Sequence, residues 1–588
     1  MTARHRPRLV AMLRAFKPYP FTPRHHDAVL PRLQQGADAH RRQVVVVGAG
    51  PVGLCAALGL AQHGVPVVLL EADDSVCVGS RAICISRRSL EIIERLGALP
   101  GFLHAGLPWS GGRSFYRDAE VLRFAMPQDA QQKLPPMVNL AQYRIEQILL
   151  DRAEELRELI DIRWQTRLTT VTTAPQGVRL QLSTPLGDYA LDADWLVAAD
   201  GARSTVRQAL GLALQGASYE GRYVIVDILM KSQRATERLA YFDPPCNPGS
   251  TVLVHKQPDD VWRIDYQLRD GEDPDAAIRP EHVMPRVESL LAMMGETAPW
   301  SPLWVGMYKA NALTLERYRH GRVLFAGDAA HLLPIFGVRG ANSGIADADN
   351  LAWKLAFVVK GLASHGLLDS YSDERVAAAH ENLDHGRKST EFMAPPSFGF
   401  ELMRTAVLGL AATHPGLRSL INPRQTSAIS YTSSPLNTAL THSQAFSAGP
   451  APGSVLPECP LTLIDAAGAR AGHVTGLLGL GFTLLCFAPD QTLVMAVKAE
   501  RAALADDAIA MRCVAIDGDA ESSGSRLLEA RTHDPGLRLH TMYGAVAGTL
   551  YLVRPDGHVL ARWRDGHDAD IGGAIRRALQ RQPQEATV

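Results

Sequence analysis

Two short apolar runs near the start of the chain flank a stretch rich in Ala and Leu. The first run, Val44–Val47, is entirely β-branched and predicts a buried strand. The stretch after it predicts a helix that ends at Gln62, and the second run predicts a strand over Val65–Leu70. A strand, a helix and a second strand in this order form a βαβ unit, so we expect an α/β fold with a parallel sheet.

A strand-rich region follows at residues 213–309. Its apolar runs predict strands at Tyr223–Met230, Thr251–His255 and Val261–Leu268. The last run alternates, which places Trp262, Ile264 and Tyr266 on one face and Arg263, Asp265 and Gln267 on the other. We expect Trp262 and Tyr266 to belong to a hydrophobic core rather than to a binding surface.

The pattern changes again after residue 421. Residues 422–454 are rich in Ser, Thr, Pro, Ala and Gly, a composition that buries little apolar area and predicts a connector. Beyond it, apolar runs predict strands at Leu461–Ile464, Phe482–Phe487, Thr492–Val497, Thr549–Val553 and Val559–Trp563, with helices near 499–508 and 572–580. These runs predict a separate, smaller α/β domain in which 554–558 form a hairpin turn.

Composition and charge exclude several classes of protein. Of the 588 residues, 46% are hydrophobic and 21% are charged, as in a folded protein of several domains. A net charge of −1 provides no overall attraction for nucleic acid or for an anionic membrane. Seven cysteines without a CxxC pair or metal-like spacing indicate reduced thiols, no metal site and a cytoplasmic location.

The first 43 residues are basic, with nine Lys/Arg against two Asp/Glu. Leu9, Met12, Leu13 and Phe16 fit one face of a helix, a pattern that a surface arm shares with the start of a transit peptide. No apolar signal-peptide core precedes them. We expect an ordered arm that packs on its own protein.

The turn after the first strand has the spacing of a phosphate-binding loop. Gly48, Gly50 and Gly53 form a GxGxxG motif, and Pro51 stands at the start of the helix. The glycines allow a tight turn, a close approach of backbone to a pyrophosphate, and close packing of helix on strand. Glu71, at the end of the second strand, is placed to accept hydrogen bonds from ribose hydroxyls. This unit predicts a bound dinucleotide and leaves NAD and FAD open.

Two later acidic motifs also follow apolar strands. Asp200 precedes Gly201 in the first motif, and Asp328 follows a glycine in the second. Each aspartate alone is also typical of a helix N-cap. The three motifs in this order resemble those of the aromatic hydroxylase family of flavoproteins, the class A monooxygenases that include para-hydroxybenzoate hydroxylase and phenol hydroxylase. The resemblance covers residues 44–430.

The resemblance implies that FAD is the cofactor and assigns several residues to it. Asp328 would bond the ribityl chain. The expected neighbours of the pyrophosphate and of the nicotinamide donor are Asp200, Gly201 and Arg203. The family also implies that Arg81 contacts the cofactor and that Gln142 lies beside the flavin. The alternatives are a surface arginine at 81 and a polar helix-start residue at 142.

A glycine-containing helix start follows Asp328. The segment from Pro334 leads to a helix predicted near Ala341, and its N-terminal N–H groups carry a partial positive charge. Such a helix end would stabilise the anion of a reduced flavin, much as an oxyanion site does. The family motif agrees, and it implies cofactor contacts for Pro334, Gly340, Ala341 and Asn342. An ordinary glycine-capped helix start is the alternative.

The resemblance also implies a reaction. NAD(P)H would reduce FAD, O₂ would form a flavin C4a-hydroperoxide, and this species would hydroxylate a small phenolic substrate. The Arg263-x-Asp265 strand resembles the 3-(3-hydroxyphenyl)propionate hydroxylase branch, with Asp265 as proton acceptor and Arg263 as a clamp for a substrate carboxylate. A solvent-exposed cross-strand salt bridge is the interpretation that the pattern favours. A reductase or epoxidase on the same fold and a non-catalytic FAD-binding protein also stay open, whereas the absence of a WxWxIP-like segment counts against a halogenase.

The C-terminal segments resemble the thioredoxin-like tail of phenol hydroxylase, which implies structural support or a homodimer contact. No second cysteine follows Cys486 at dithiol spacing, so we expect no redox activity there. The fold class is therefore α/β: a Rossmann-type FAD-binding domain, a β-sheet substrate domain and a thioredoxin-like domain. The expected parts are an arm (1–43), a discontinuous FAD-binding domain (44–112, 138–212, 310–365), a substrate domain (113–137, 213–309), a helical segment (366–421), a linker (422–454) and a C-terminal domain (455–588).

Overall fold

The computed structural model describes residues 16–79, 82–128, 131–269, 271–421, 425, 427–438, 446–466, 468–518, 521–534 and 536–580. Strands and helices within these ranges are numbered in chain order. The helices are α1 Pro51–Gln62, α2 Arg87–Arg95, α3 Leu99–Ala105, α4 Gln142–Glu155, α5 Thr205–Ala209, α6 Pro274–Ala277, α7 Pro280–Met293, α8 Gly340–Val359, α9 Leu367–Met393, α10 Phe398–Ala411, α11 Gln491–Asp506, α12 Arg538–Tyr543 and α13 Ile571–Ala578.

The first sheet has ten strands and a parallel centre. Its strands are β1 Leu33–Gln34, β2 Ala37–Asp38, β3 Arg42–Val47, β4 Val67–Leu70, β10 Ile160–Arg163, β11 Arg167–Ala174, β12 Gly177–Thr184, β13 Gly187–Ala198, β19 Arg319–His320 and β20 Val323–Phe325. The central strands pair in parallel in the order β20, β13, β3, β4, β10. The predicted βαβ unit is confirmed, and α1 ends at Gln62 as expected.

The second sheet has eight strands in the order β21-β18-β14-β17-β16-β15-β7-β8. They span β7 Gly111–Tyr116, β8 Ala119–Ala125, β14 Gln215–Met230, β15 Arg238–Phe242, β16 Thr251–Lys256, β17 Val261–Gln267, β18 Trp300–Thr314 and β21 His331–Leu332. Trp262, Ile264 and Tyr266 pack with α7 in one hydrophobic core, which confirms their predicted placement. A third, small sheet has three strands in the order β5 Cys84–Ser86, β9 Met137–Asn139 and β6 Leu107–Trp109.

The C-terminal part contains a seven-stranded sheet in the order β23-β22-β26-β25-β24-β27-β28. Its strands are β22 Pro460–Asp465, β23 Gly468–His473, β24 Phe482–Phe487, β25 Met511–Asp517, β26 Ala530–His533, β27 Leu550–Val553 and β28 Val559–Trp563. β24 and β25 are parallel, and β27 is antiparallel to both β24 and β28. The predicted hairpin between β27 and β28 is confirmed.

One predicted strand is wrong. Residues 492–497 belong to helix α11, which runs on through the predicted helical window. The Asp490 side chain caps this helix by accepting the Leu493 N–H at 2.7 Å. Leu493, Val494 and Val497 are buried at helical spacing, so their β-branched composition was overridden by the cap and by packing on the sheet.

The segments predicted as arm and connector make specific contacts. Tyr19 and Phe21 pack on Tyr143 with ring centroids 5.2 and 4.6 Å apart. Leu9, Met12 and Leu13 lie outside the described residues. Tyr431 and Leu436 of the predicted connector are 6% and 5% exposed, so this segment buries apolar area after all. No helix in the described part of the chain is long and apolar enough to cross a membrane.

A pair of helical glycines tests the packing of α1 on α8. A Cβ atom at Gly59 would lie 2.6 Å from the Ala352 Cβ, whereas a Cβ at Gly409 in α10 would meet no heavy atom within 4 Å. We expect Gly59→Ala to destabilise the protein by about 1–3 kcal/mol because of overpacking. Gly409→Ala should stabilise it by about 0.5–1 kcal/mol. Unfolding midpoints measure both, and equal midpoints for G59A and wild type would contradict the close helix contact.

Candidate functional site

Four predicted cofactor residues lie along one edge of the first sheet. Gly48 follows β3, Glu71 follows β4, and Asp200 and Asp328 stand shortly after β13 and β20. These strands are adjacent and parallel, so their carboxyl ends meet at the same edge. With a strand spacing of about 4.8 Å, the row extends for roughly 14 Å. This edge is where open α/β sheets bind extended ligands.

The glycine loop after β3 leaves room for a phosphate group. Gly48 has a φ of +97°, and a Cβ there would lie 2.6 Å from the Ala199 carbonyl oxygen. A Cβ at Gly53 would lie 1.8 Å from the Gly48 oxygen, so this glycine permits α1 to pack on the loop. Gly50 is different, because a Cβ there would meet nothing within 4 Å. Pro51 begins α1. The open space at Gly50 fits the pyrophosphate of a dinucleotide.

Two partly buried carboxylates border this loop. Glu71 accepts the Ala49 N–H at 2.7 Å and the Asp73 N–H at 3.0 Å. Asp200 accepts the Val206 N–H at 3.1 Å through one oxygen, while its buried Oδ1 has no hydrogen-bond partner in the described part of the chain. Burial raises the pKa of both carboxyl groups. An orphaned buried oxygen beside the loop is consistent with a polar ligand at this position.

The loop that carries Asp328 is held by a buried carboxylate that the motifs did not indicate. Asp347 of α8 accepts the Gly327 N–H at 2.9 Å, lies 2.8 Å from His331 Nε2, and accepts the Arg375 Nε–H at 2.6 Å. Although burial opposes it, the charges of Arg375 and His331 bring the pKa of Asp347 below its ordinary value. Asp328 itself is exposed, in a 3₁₀ turn over Gly327–Ala329.

Helix α8 begins at Gly340, close to the predicted start. A Cβ at Gly340 would meet no atom within 4 Å, so its backbone is approachable. The Asn342 side chain accepts from Ser86 N and Ser89 Oγ at 2.8 and 2.7 Å, and donates to the Cys84 oxygen at 2.9 Å. Asn342 therefore fixes β5 against the helix end with its side chain, which leaves its backbone for a cofactor contact.

The remaining predicted cofactor residues have varied surroundings. Gln142 begins α4, accepts the Ala82 N–H at 3.3 Å and donates to Glu146 at 2.8 Å. Gly201 has a φ of +76°, and Arg203 is exposed. Pro334 packs beside Gly386 of α9, and Ala341 lies in the first turn of α8. Arg81 lies outside the described residues.

On the polar face of β17, Arg263 is buried and Asp265 is only partly exposed. Arg263 is 2% exposed and donates to both oxygens of Asp227 at 2.9 and 2.8 Å. Tyr19 of the N-terminal arm donates to the same carboxylate at 2.5 Å. The interpretation of Arg263 and Asp265 as a solvent-exposed salt bridge is therefore wrong. It failed because the sequence does not show that this face meets other parts of the protein.

A second buried cation lies on the same face without an ion pair in the described residues. Arg238 of β15 is 4% exposed, donates to Gln425 Oε1 at 3.1 Å, and has an Nε with no partner. His255 stands between Arg238 and Arg263 in the cross-strand register, and its buried Nδ1 is also unpartnered among the described residues. Burial lowers the pKa of both Arg238 and His255.

Asp265 makes no side-chain hydrogen bond to another described residue and is partly exposed. Burial raises the pKa of its carboxyl group to about 7, although the positive charges of Arg263 and Arg238 oppose the shift. Cys84 is close enough for Arg238, Arg263 and Asp265 to affect its pKa. Because Asn342 holds Cys84, the polar face lies near the start of α8.

Sequence reasoning missed Asp227, Arg238, His255, Asp347 and Arg375. All five are buried polar residues whose neighbours on the sheet or helix are distant in the chain. The cross-strand register would have been needed to find the first three. A polar residue in an otherwise apolar run, such as Asp227 in β14, is the one signal that the sequence offered.

Gly50 and Gly53 provide a matched test of the phosphate loop. Gly50→Ala adds a methyl group to open space, so the apoprotein should unfold at the wild-type midpoint while its affinity for FAD falls about 10- to 100-fold, the value of charge-assisted hydrogen bonds of about 1.5–3 kcal/mol. Gly53→Ala should destabilise the apoprotein itself. FAD titration and thermal unfolding separate the two effects. Unchanged FAD affinity in G50A would show that the phosphate lies elsewhere.

Curated relatives match slightly less than two thirds of the chain. A 3-(3-hydroxy-phenyl)propionate/3-hydroxycinnamic acid hydroxylase of Klebsiella pneumoniae is 32% identical over 366 residues, which cover 62% of this chain and 64% of the relative. A protein of the same name from Mycolicibacterium smegmatis is 28% identical over 378 residues, 64% of this chain and 66% of that one. Each match spans slightly less than two thirds of the relative.

Solved structures match over more of the chain. The flavin-dependent monooxygenase PieE, solved with FAD and substrate, has a TM-score of 0.77 at 23% identity and covers 93% of this chain and 100% of its own. Aklavinone-11 hydroxylase, solved with FAD and aklavinone, has a TM-score of 0.70 at 24% identity and covers 92% and 100%. At these identities the similarity concerns the fold.

The family described as FAD binding domain matches residues 41–385, well over half of the chain. This range includes the three motifs and every described residue of the sheet edge. FAD, rather than NAD alone, is thus the cofactor of this chain. The chain belongs to this family of FAD-binding proteins.

Proposed function

We propose that the protein is an FAD-dependent monooxygenase that uses NAD(P)H and O₂ to hydroxylate a phenolic aromatic acid. One observation carries the proposal: the polar face of the second sheet, near the start of α8, holds a buried arginine without an ion pair among the described residues and a carboxyl group of raised pKa. The names of the curated relatives, which describe hydroxylases of phenolic acids, support the same substrate class.

Bound FAD supplies electron transfer from the nicotinamide and activation of O₂. In the overall reaction a phenol, NAD(P)H, a proton and O₂ give a dihydroxylated ring, NAD(P)⁺ and water. The chain contributes binding, orientation and exclusion of water. We assign FAD binding to the loop of Gly48, Gly50, Pro51 and Gly53, to Glu71, and to the acidic turns at Asp200 and Asp328. Gly201, Arg203, Gln142, Pro334 and residues 340–342 complete the proposed set.

The carboxylate of the substrate is assigned to Arg238. Nε and Nη2 of Arg263 are already bonded to Asp227, so its role is to hold the sheet face rather than to clamp the substrate. Arg238 carries its charge with only an amide oxygen as partner among the described residues. A buried cation in this situation is stabilised by an anionic ligand.

Asp265 is assigned to accept the phenol proton. A carboxyl group with a pKa of about 7 is partly ionised near neutral pH and can exchange a proton there. Its proximity to the Arg238 and Arg263 charges keeps the ionised form accessible. His255, with a lowered pKa, stays neutral beside it.

We also propose that residues 455–588 form a thioredoxin-like domain without dithiol chemistry, within the domain limits expected from the sequence. Its support is the order β25-β24-β27-β28, with α11 joining the two parallel strands and α13 following the hairpin. Cys486 and Cys513, on β24 and β25, are buried free thiols.

The proposal predicts substrate-stimulated oxidation of NAD(P)H. With the holoprotein, 3-(3-hydroxyphenyl)propionate should accelerate NADH or NADPH oxidation and yield hydroxylated product rather than hydrogen peroxide.

Arg238→Met should raise KM for this acid about 10- to 100-fold, and should change KM for the uncharged 3-propylphenol little. Arg113→Met is the control, because Arg113 lies on the adjacent strand β7 and pairs with Glu237. If no phenol stimulates NAD(P)H oxidation by the wild type, the hydroxylase proposal fails. If R238M raises KM equally for both compounds, only the carboxylate assignment fails.

Asp265 predicts a pH dependence. The carboxylate must be ionised to accept a proton, so the hydroxylation rate should rise with pH through about 7. Asp265→Asn should remove this rise and slow the reaction by about 10²–10⁴-fold. Asp260→Asn, at an exposed position of the same hairpin, should keep the wild-type profile. A D265N profile that still rises through pH 7 would rule out this base.

A further inference from the structure

The hairpin turn between β27 and β28 is buried. Residues 554–558 are all buried, with Arg554 and Asp556 each 1% exposed and His558 3% exposed. Hairpin turns normally lie at the surface, because their backbone groups need partners. This turn instead inserts between α8, α9 and the segment that contains Tyr431.

Four fully buried charged side chains meet at the turn. Arg554 donates to both oxygens of Glu374 in α9 at 2.6 and 2.9 Å, and Lys354 of α8 donates to the same carboxylate at 2.7 Å. Asp556 accepts from Arg554 at 2.5 Å and from the Trp353 indole at 3.2 Å. We call these four residues, Arg554, Asp556, Lys354 and Glu374, the buried ion cluster. It contains two cations and two anions, so its charge is balanced.

The buried ion cluster is connected to the loop that carries Asp328. Glu374 is followed by Arg375, which donates to Asp347 at 2.6 Å, and Asp347 accepts the Gly327 N–H. Tyr431 provides a second connection, since it accepts from Arg375 at 3.0 Å and stacks on His558 with centroids 4.3 Å apart. Buried hydrogen bonds, linked by the Glu374–Arg375 backbone and by the Tyr431–His558 ring stacking, therefore join the C-terminal turn to the proposed ribityl-binding loop.

We propose that the Arg554–His558 turn is a positioning element for FAD: it sets the position of Glu374 and Arg375 on α9, and thereby the orientation in which Asp347 holds the Gly327–Asp328 loop. Arg554 is the positioning residue and acts through Glu374. Docking of the turn and binding of FAD are coupled, and coupling between two sites is reciprocal. A contact that serves only to join two domains would show no such coupling.

Hydrogen exchange of the full-length wild-type protein tests the reciprocal effect. FAD should slow amide exchange in the 554–558 turn about tenfold, within the usual range for coupled sites. The turn between β22 and β23, in the same domain, is the internal control because Asp465 and Gly468 are register partners there and Arg470 of the same hairpin donates to Asp465. Equal protection of the two turns, or protection of neither, would overturn the proposal.

A pair of arginine variants tests the forward effect. Arg554→Lys keeps the charge but cannot donate to both oxygens of Glu374, so the Kd for FAD should rise about tenfold and the visible spectrum of the bound flavin should shift. Arg562→Lys is the matched control, because Arg562 is a buried arginine of β28 whose guanidinium donates to the carbonyl oxygens of Ala448, Gly449 and Pro450. If R554K lowers the thermal stability of the apoprotein but leaves the FAD Kd and spectrum at the values of R562K, the turn is only a domain contact and the proposal is wrong.

Discussion

The cost of burying charge governs the interior of this protein. A buried ion needs a partner of opposite charge and enough hydrogen bonds to replace water. Arg263 with Asp227, Arg375 with Asp347, and the buried ion cluster around Glu374 all meet this requirement. Arg238 does not meet it within the described residues. The balanced groups therefore belong to the framework, and the unbalanced one is the residue to which we assign the substrate carboxylate.

The sheet edge and the polar face carry different chemical groups. The edge holds glycines and carboxylates in a row along the ends of parallel strands, which suits a long dinucleotide. On the polar face of the second sheet, Asp227 pairs with Arg263 and leaves Arg238 without an ion pair among the described residues, which suits a small anion. The start of α8 lies between them, since Asn342 fixes Cys84 and Cys84 lies beside the polar face.

The βαβ unit and its glycine turn at the sheet edge could be predicted from the sequence because their signals are local. The glycine spacing, the strand before it and the acidic residue after the next strand are all within one βαβ unit. Asp347, Arg375 and Arg554 could not be predicted in this way, because their roles depend on contacts between distant segments. Local composition also gave the wrong result at 492–497, where a cap and a buried helical face outweighed β-branched residues. The exposure of Arg263 was misjudged for a related reason: an alternating strand does not reveal what covers its polar face.

The inserted turn has a consequence for how such proteins can be recombined. Arg554 and Asp556 belong to the C-terminal part, while Lys354 and Glu374 belong to α8 and α9. A tail domain exchanged from a relative would bring half of a charge-balanced group and leave the other half unmatched in a dry interior. The C-terminal part and helices α8 and α9 therefore have to be inherited together. In evolution or protein engineering, the unit that can be exchanged contains all of them.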